Sequence, residues 1–528
     1  VTLPSRLASL VACGALFAAS FGVARAQEPL LSPVFSTLLG GNGWDFASGV
    51  AFDRAGDIFV AGATASPDFP FVHAAQTVNH GGTNGADAFL LKLDPTGTHI
   101  LFGTYLGGGD DDAAAGLGVD ASGSAYVVGF TRSADFPLRH SLPGISCNAR
   151  TSPHGNAFAA RFSPTGSLIY STCLGRGGSS WATAVAVSGH NAYVTGTTTS
   201  KHFPRVGVNS VCGRGTDAFV TEIAPGGRRS LLSRCVGGLG DEESNAIALS
   251  TAAIALGGTT DSGSLPSATN RASGREDGFV TSLSLATGTV LFSTFIGSTG
   301  DDAVNGLVAH DGTLIAAGGT ASPTLPVGNG TSATVQGPED AFVEQLGQGG
   351  ALLTGRLIGG SGGDNASGIV TTSSGDLCLT GSSASSDLLG GGGAPSPFEG
   401  GSYYGDAMVA CLDANLSLVV LVDLGGDGED TGVGIAFGPG HRLAIVGGTS
   451  SEDFPAGHVF SGNVPLAGNA FVQLYAMTSA LVTNASEAAA SPRLTNQIPS
   501  RTSTPPATVP QLSRSPSTST ASSVPASG

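Results

Sequence analysis

The sequence predicts an all-β protein, a seven-bladed β-propeller of four-stranded antiparallel blades, closed by its N-terminal strand. Three observations carry that prediction. A self-similar unit recurs seven times, each unit holds four short strand-like runs, and Gly supplies 82 of 528 residues without any Gly-X-Y period. The tripeptide Asp87-Ala88-Phe89 returns as Asn156-Ala157-Phe158, Asp217-Ala218-Phe219, Asp277-Gly278-Phe279, Asp340-Ala341-Phe342, Asp406-Ala407-Met408 and Asn469-Ala470-Phe471. Successive copies lie 69, 61, 60, 63, 66 and 63 residues apart. A second marker, Asp68-Phe69-Pro70, and a third, Leu39-Gly40-Gly41, recur in the same order.

Taken from the beginning, Arg6 precedes an apolar stretch from Leu7 to Val23 that ends in Ala24-Arg25-Ala26-Gln27, an A-x-A-type cleavage site. Residues 1–26 therefore read as a secretory signal peptide. Leu10-Val11-Ala12-Cys13 resembles a lipoprotein box, but only six residues separate Arg6 from Cys13 and the apolar run continues past it. Cleavage after Ala26 is favoured over lipid anchoring at Cys13. Beyond residue 26 no apolar run approaches the roughly 18 residues needed to span a bilayer.

In the first unit the strand-like runs are Gly49–Phe52, Asp57–Ala61, Ala88–Leu93 and Ile100–Leu106. Asp53-Arg54-Ala55-Gly56 joins the first pair and Asp94-Pro95-Thr96-Gly97 the last pair, both tight-turn sequences. Four antiparallel strands repeated seven times close radially and leave only short edges. The chain opens with an orphan fourth strand, Phe35–Leu39, and its last unit ends after a third strand at Phe471–Leu474. The simplest circle has the N-terminal strand complete the last blade. The propeller is assigned to residues 27–479.

Phe35-Ser36-Thr37-Leu38-Leu39-Gly40-Gly41, Val119-Asp120-Ala121-Ser122-Gly123 and Tyr126-Val127-Val128-Gly129, in register with Asp-Phe-Pro and Asp-Ala-Phe, closely resemble the bacterial SBBP family of extracellular β-propeller repeats. The resemblance extends from Phe35 to about Tyr475 and implies a secreted or surface propeller. It brings no reaction and no catalytic residue. Kelch repeats share the double glycines, but their roughly 50-residue period does not fit. Residues 480–528 form a Ser/Thr/Pro-rich tail; from Ser491 onward 23 of 38 residues are of those types and none is aromatic. Such a composition predicts a solvated tail.

The most repeated polar feature is a Gly-rich loop ending in an acid, as in Gly40-Gly41-Asn42-Gly43-Trp44-Asp45. The final positions are Asp45, Asp112, Ser180, Glu242, Asp302, Asp364 and Asp430. These acids, with Trp44 and Trp181 in the same loops, are the ligand-face candidates, and the face carrying them is expected to be electronegative. The loop resembles the core of calcium-binding nonapeptide repeats, but those stack every nine residues and these copies lie some 60 apart. The favoured reading is that each carboxylate accepts backbone N–H bonds and pins its loop. A Ca²⁺ role stays a secondary reading, because Ca²⁺ takes 6–8 oxygens and each blade offers one carboxylate. No other cofactor or metal is expected.

Gly359-Gly360-Ser361-Gly362-Gly363 satisfies G-x-S-x-G, yet no helix follows to make a nucleophile elbow. His190, His310 and His441 fall at inner-strand turns of blades 3, 5 and 7, which are not neighbours. Six Cys follow the signal peptide. Strand order pairs Cys147 with Cys173, Cys212 with Cys235 and Cys378 with Cys411, each inside one blade, as suits an oxidising compartment.

The net charge of −17 argues against binding a phosphate backbone. The functional expectation is a monomeric, non-enzymatic binding scaffold, secreted or on the cell surface with the periplasm as the alternative compartment. Its partner would be an extracellular protein or a glycan. Two other classes stand beside it: a hydrolase or lyase with a site assembled from several blades, and a structural envelope component.

Overall fold

The computed structural model describes residues 30–81, 85–147, 155–207, 212, 215–388, 405–460 and 468–478. The signal peptide, the Cys13 lipobox and the tail lie outside the described residues.

Each of seven sheets has the same order, which we label A to D from the inside outward. In blade 1, strand A is Asp45–Phe52, B is Ile58–Thr64, C is Asp87–Leu93 and D is Ile100–Leu106. Blades 2 to 6 follow with A strands at Asp112–Val119, Ser180–Ser188, Glu242–Leu249, Asp302–His310 and Asp364–Thr371. Blade 7 is composite. Its A, B and C strands are Asp430–Gly438, Arg442–Thr449 and Asn469–Met477, and its D strand is Leu31–Leu39 from the start of the chain. Leu38 lies opposite Phe471 in that antiparallel pair, so the expected closure holds. A two-residue strand, His458–Val459, adds to the outer edge of the closing strand in parallel.

Strand A begins at the acid itself, four residues before the run that patterning suggests. A bulge is the reason. In every blade the A–B register slips once after the third residue, as between Ala47 and Gly49. The extra residue breaks the two-residue alternation that marks a strand. The bulge also brings strand A against a glycine of strand B: a Cβ on Gly62 would lie 1.9 Å from the Phe46 carbonyl oxygen, and Gly129, Gly196, Gly258, Gly318, Gly381 and Gly447 stand in equally close quarters. That contact explains the glycine of the Tyr-Val-x-Gly motif.

The bulged residue itself reaches across to the next blade. Ser48 Oγ donates to Ala114 O at 2.8 Å, Thr183 Oγ1 to Ser244 O at 2.6 Å, Asn245 Nδ2 to Val304 O at 3.3 Å and Asn305 Nδ2 to Ala366 O at 3.1 Å. Four inter-blade seams are thus riveted close to the axis.

Apolar packing lies between blades, not within them. Strand C is buried on both faces, as in Asp87–Leu93, because each of its faces meets a neighbouring sheet. Seven apolar clusters each straddle one of the seven seams. The two aromatic markers meet there: Phe69 stacks on Phe89 at 4.8 Å, Phe136 on Phe158 at 4.8 Å, Phe203 on Phe219 at 4.6 Å and Phe454 on Phe471 at 4.8 Å between ring centroids. The Asp-Phe-Pro segment is therefore a clip that fastens the B–C connection onto strand C.

All three expected disulfides are present, with Cα–Cα separations of 5.6, 5.2 and 4.1 Å. Among the described residues no helix is long and apolar enough to cross a membrane.

Candidate functional site

Connections alternate between the two ends of the propeller. The short A–B and C–D turns form one face. The Gly-rich D–A loops and the long B–C segments form the other, here called the loop face.

The six candidate acids head the inner strands on the loop face and are buried there, from 0% exposed for Asp112, Glu242 and Asp430 to 3% for Asp45. Each accepts a backbone N–H from the loop just before it: Gly41 to Asp45 at 3.0 Å, Gly108 to Asp112 at 2.7 Å, Gly238 to Glu242 at 2.9 Å, Ser298 to Asp302 at 3.0 Å, Gly360 to Asp364 at 2.9 Å and Gly426 to Asp430 at 3.0 Å. In all six of these blades a serine hydroxyl two residues beyond strand B donates to the same carboxylate, as Ser66 does to Asp45 at 2.9 Å, Ser133 to Asp112 at 2.7 Å and Ser262 to Glu242. Ser180, the seventh position, bonds Thr198 instead.

At five of the seven seams a second acid stands beside the first. The Asp of Asp-Ala-Phe heads strand C and holds the B–C segment: Asp87 accepts from His80 N at 3.0 Å and Gln76 Nε2 at 2.9 Å, and Asp340 from Gln336 N at 3.0 Å. An ideal Cβ on Gly107 would lie 2.3 Å from Asp87 Oδ1 and 2.7 Å from Asp112 Oδ2, so the two carboxylates flank that glycine. Asp217 and Glu242 flank Gly237 in the same way. The other two seams are relieved: Asn469 stands opposite Asp45 where blade 7 meets blade 1, and Asn156 and Ser180 take the two places where blade 2 meets blade 3.

Burial raises several of these acids. Asp45 is pushed up to about 6, and Asp87 to about 6, by burial foremost, against the opposing pull of their hydrogen bonds. Asp112 reaches about 7, with burial first and the Asp87 charge adding to it. Glu242, Asp364 and Asp430 are raised for the same first reason.

Exposed negative charge on this face comes from other residues, which sequence reasoning did not single out. Asp68, Asp135, Asp387 and Asp453, the acids of the Asp-Phe-Pro clip, are exposed and accept loop N–H groups from Asn42, Gly109, Ser361 and Asp427 at 2.7–2.9 Å. Trp44 is half-buried on Ala63, Ala86 and Ala113. Trp181 is the second residue of strand A in blade 3 and also half-buried, so the two tryptophans lie two blades apart. Among the described residues no group of three or more His, Cys, Asp or Glu is placed to hold a metal ion.

On the turn face one constellation was missed. Asp120 Oδ2 receives Arg161 at 3.0 Å, His190 Nδ1 at 2.8 Å and Tyr126 OH at 3.0 Å, and Arg161 lies over the Tyr126 ring at 5.1 Å. Burial opposes the Asp120 charge, but bonds from Ser122, His190, Ser124 and Tyr126 hold it well below the usual carboxylate range. Blade 1 has the counterpart, Lys92 between Asp53 at 3.0 Å and Asp57 at 2.8 Å. The group ties blade 2 to blade 3 through His190. Spacing could have suggested it, since Lys92 and Arg161 hold the same place in strand C.

Residues 34–70 match the model of the SBBP family, a beta-propeller repeat. The chain is a seven-bladed β-propeller that carries an SBBP repeat at residues 34–70. Solved structures with a similar overall trace include hydrazine synthase of Kuenenia stuttgartiensis, 12% identical with TM-score 0.42, covering 76% of this chain and 92% of that one. The Pan2 WD40 domain of Neurospora crassa is 8% identical with TM-score 0.43, covering 85% and 98%. The gluconolactonase XC5397 of Xanthomonas campestris is 13% identical with TM-score 0.32, covering 66% and 87%. No curated protein matches the sequence. In this propeller the repeated motif residues hold the fold, and what differs between blades is the B–C segment.

Proposed function

We propose that the protein is a non-enzymatic extracellular binding scaffold whose ligand surface is the loop face, taking a protein or a glycan as a monomer and without a cofactor. One observation carries the reading: a rigid frame, identical from blade to blade, presents B–C segments that differ in length and chemistry. The buried acids, hydroxyls and glycines of the seams are engaged with one another, so they support the surface from beneath. A recess of about 500 Å³ opens on this face between blades 1 and 2, walled by Gln76, Val78, His80, Gly107 and Asp135 among others. Its size is that of a small-ligand or single side-chain cleft.

The purified chain should retain ligands on a glycan array or in a pull-down of cell-surface proteins, and grafting the blade 4 segment 261–276 in place of the blade 1 segment 65–86 should abolish retention while leaving the melting temperature within a few degrees. Added Ca²⁺ or a chelator should leave retention unchanged. Silence in both assays together with turnover of a polysaccharide or ester panel would overturn this reading in favour of an enzyme assembled from several blades.

A further inference from the structure

Charge is not spread evenly over this acidic chain. Between Arg132 and Arg234, 11 of the 22 Lys and Arg residues stand against only three acids, Asp135, Asp217 and Glu222. Four of them, Arg176, Arg205, Arg228 and Arg229, line one cavity. A cavity of about 400 Å³ on the perimeter, between blades 2 and 3, is walled by Arg176, His202, Arg205, Arg228 and Arg229, and among the described residues no carboxylate lines it. Its apolar floor comes from Leu142, Pro143, Ile145, Pro204 and Val206. Arg176 is held in place by its bond to Gly144 O at 2.6 Å. Among the described residues Arg176, Arg228 and Arg229 form no ion pair.

Two positions of the repeat have changed together to build it. The second glycine of the D–A loop faces the clip Asp in four blades: a Cβ on Gly41, Gly108, Gly360 or Gly426 would lie 2.2–2.5 Å from Asp68, Asp135, Asp387 or Asp453. In blade 3 these two positions are Arg176 and His202. An arginine fits the first only because the second no longer carries the carboxylate, and the loop is tied instead by the Ser200 hydroxyl on Arg176 O. A neutral–acidic pair has become two nitrogen bases at the one seam whose buried acids are also replaced, by Asn156 and Ser180.

The geometry points to a binding site for an acidic glycan, a sugar chain bearing carboxylate or sulfate groups. Guanidinium forks pair bidentately with such planar or tetrahedral oxyanions, and the aliphatic floor suits the C–H faces of pyranose rings. No aromatic side chain lines the cavity, and stacking platforms are what single-stranded nucleic acid requires. The site lies on the perimeter, where the B–C segments of blades 2 and 3 run from the loop face toward the C–D turn that carries Arg228 and Arg229, and it goes beyond the function proposed above: this perimeter site can bind when the recess between blades 1 and 2 does not.

The test is calorimetric titration of the full chain with heparin-derived hexasaccharide, tri-galacturonate and, as the neutral control, maltohexaose. At least one acidic sugar should bind, the neutral sugar should not, and raising salt from 50 to 500 mM should weaken binding at least tenfold as screening shortens the field. The double substitution R228E/R229E, on an exposed turn, should weaken binding at least tenfold, while R54E on blade 1 should not. If R228E/R229E fails to fold, R205E serves the same purpose. Absence of binding by both acidic sugars, equal binding of the neutral one, or indifference to the arginine substitutions overturns the proposal. So does tighter binding of single-stranded DNA or of phosphatidylglycerol vesicles than of either sugar.

Discussion

Replacing Asp112 by Asn should convert a pH-sensitive seam into an insensitive one. Asp112 is fully buried, with its carboxyl raised from 3.8 to about 7 by burial and by Asp87. A carboxyl raised on folding binds its proton more tightly in the native state than in the unfolded chain. Stability is therefore greatest in acid and declines as pH rises from near 3.8 through about 7. Between pH 5 and pH 7 the slope from this one group is about 1.4 kcal/mol per pH unit, so it withdraws on the order of 3 kcal/mol by pH 8. An amide keeps the acceptor for Gly108 N and the Ser133 hydroxyl, and places its NH₂ where Asp112 Oδ1, which has no hydrogen-bond partner, now stands beside the Thr131 hydroxyl. Asn469 facing Asp45 shows that the repeat accommodates an amide at such a seam. For a domain of this size 1 kcal/mol is worth about 1 °C, given ~2 cal/mol/K of unfolding entropy per residue. Calorimetric scans at matched rate should place D112N within about 1 °C of the parent at pH 5 and ~3 °C above it at pH 8, with D110N on the exposed loop unchanged at both. A variant less stable than the parent at pH 8, or an unaltered difference between pH 5 and pH 8, would refute the reasoning.

Three further outcomes can be checked by the same scans or by denaturant titration. Phe69→Ala should cost about 3–4 kcal/mol by emptying the stack on Phe89, whereas Phe203→Leu, which copies the leucine of blades 4 to 6, should cost under about 1.5 kcal/mol. Gly62→Ala should be among the most destabilising single changes, since its Cβ meets a backbone carbonyl that only movement of strand A can relieve. Opening Cys378–Cys411 by double replacement with Ala should lower stability by about 3.7 kcal/mol in the chain-entropy account of a 33-residue separation, without loss of the blade.

Much of the fold was legible because it is repeated: the Asp-Ala-Phe and Asp-Phe-Pro copies set the blade number, and turn residues set the strands. The disulfides were legible because strand order brings Cys378 opposite Cys411. The fate of the acids was not. A Gly-rich loop ending in Asp reads the same whether the carboxylate faces solvent or its own backbone, and the bulge hid the fact that Asp45 is already part of strand A. The arginine cavity was hidden for another reason, as its walls come from four separate stretches, Leu142–Ile145, Arg176, His202–Val206 and Arg228–Ser230, which meet only when blades 2 and 3 pack.

The composite seventh blade makes the ring a test of completeness. Leu31 lies opposite Met477, so a strand that emerges early from a ribosome or an export pore must wait for one that emerges long after it. Until Asn469–Met477 arrives, Leu31–Leu39 has no seat, and the apolar cluster joining Leu39, Val60, Leu91, Val446 and Val472 stays open on both sides. Such a non-local pairing is slow to form. It also means that a chain cut short anywhere before Asn469 cannot close by losing one blade neatly. It is left with two raw sheet faces and an unclaimed first strand, a state that proteases and quality-control factors recognise by its exposed edges.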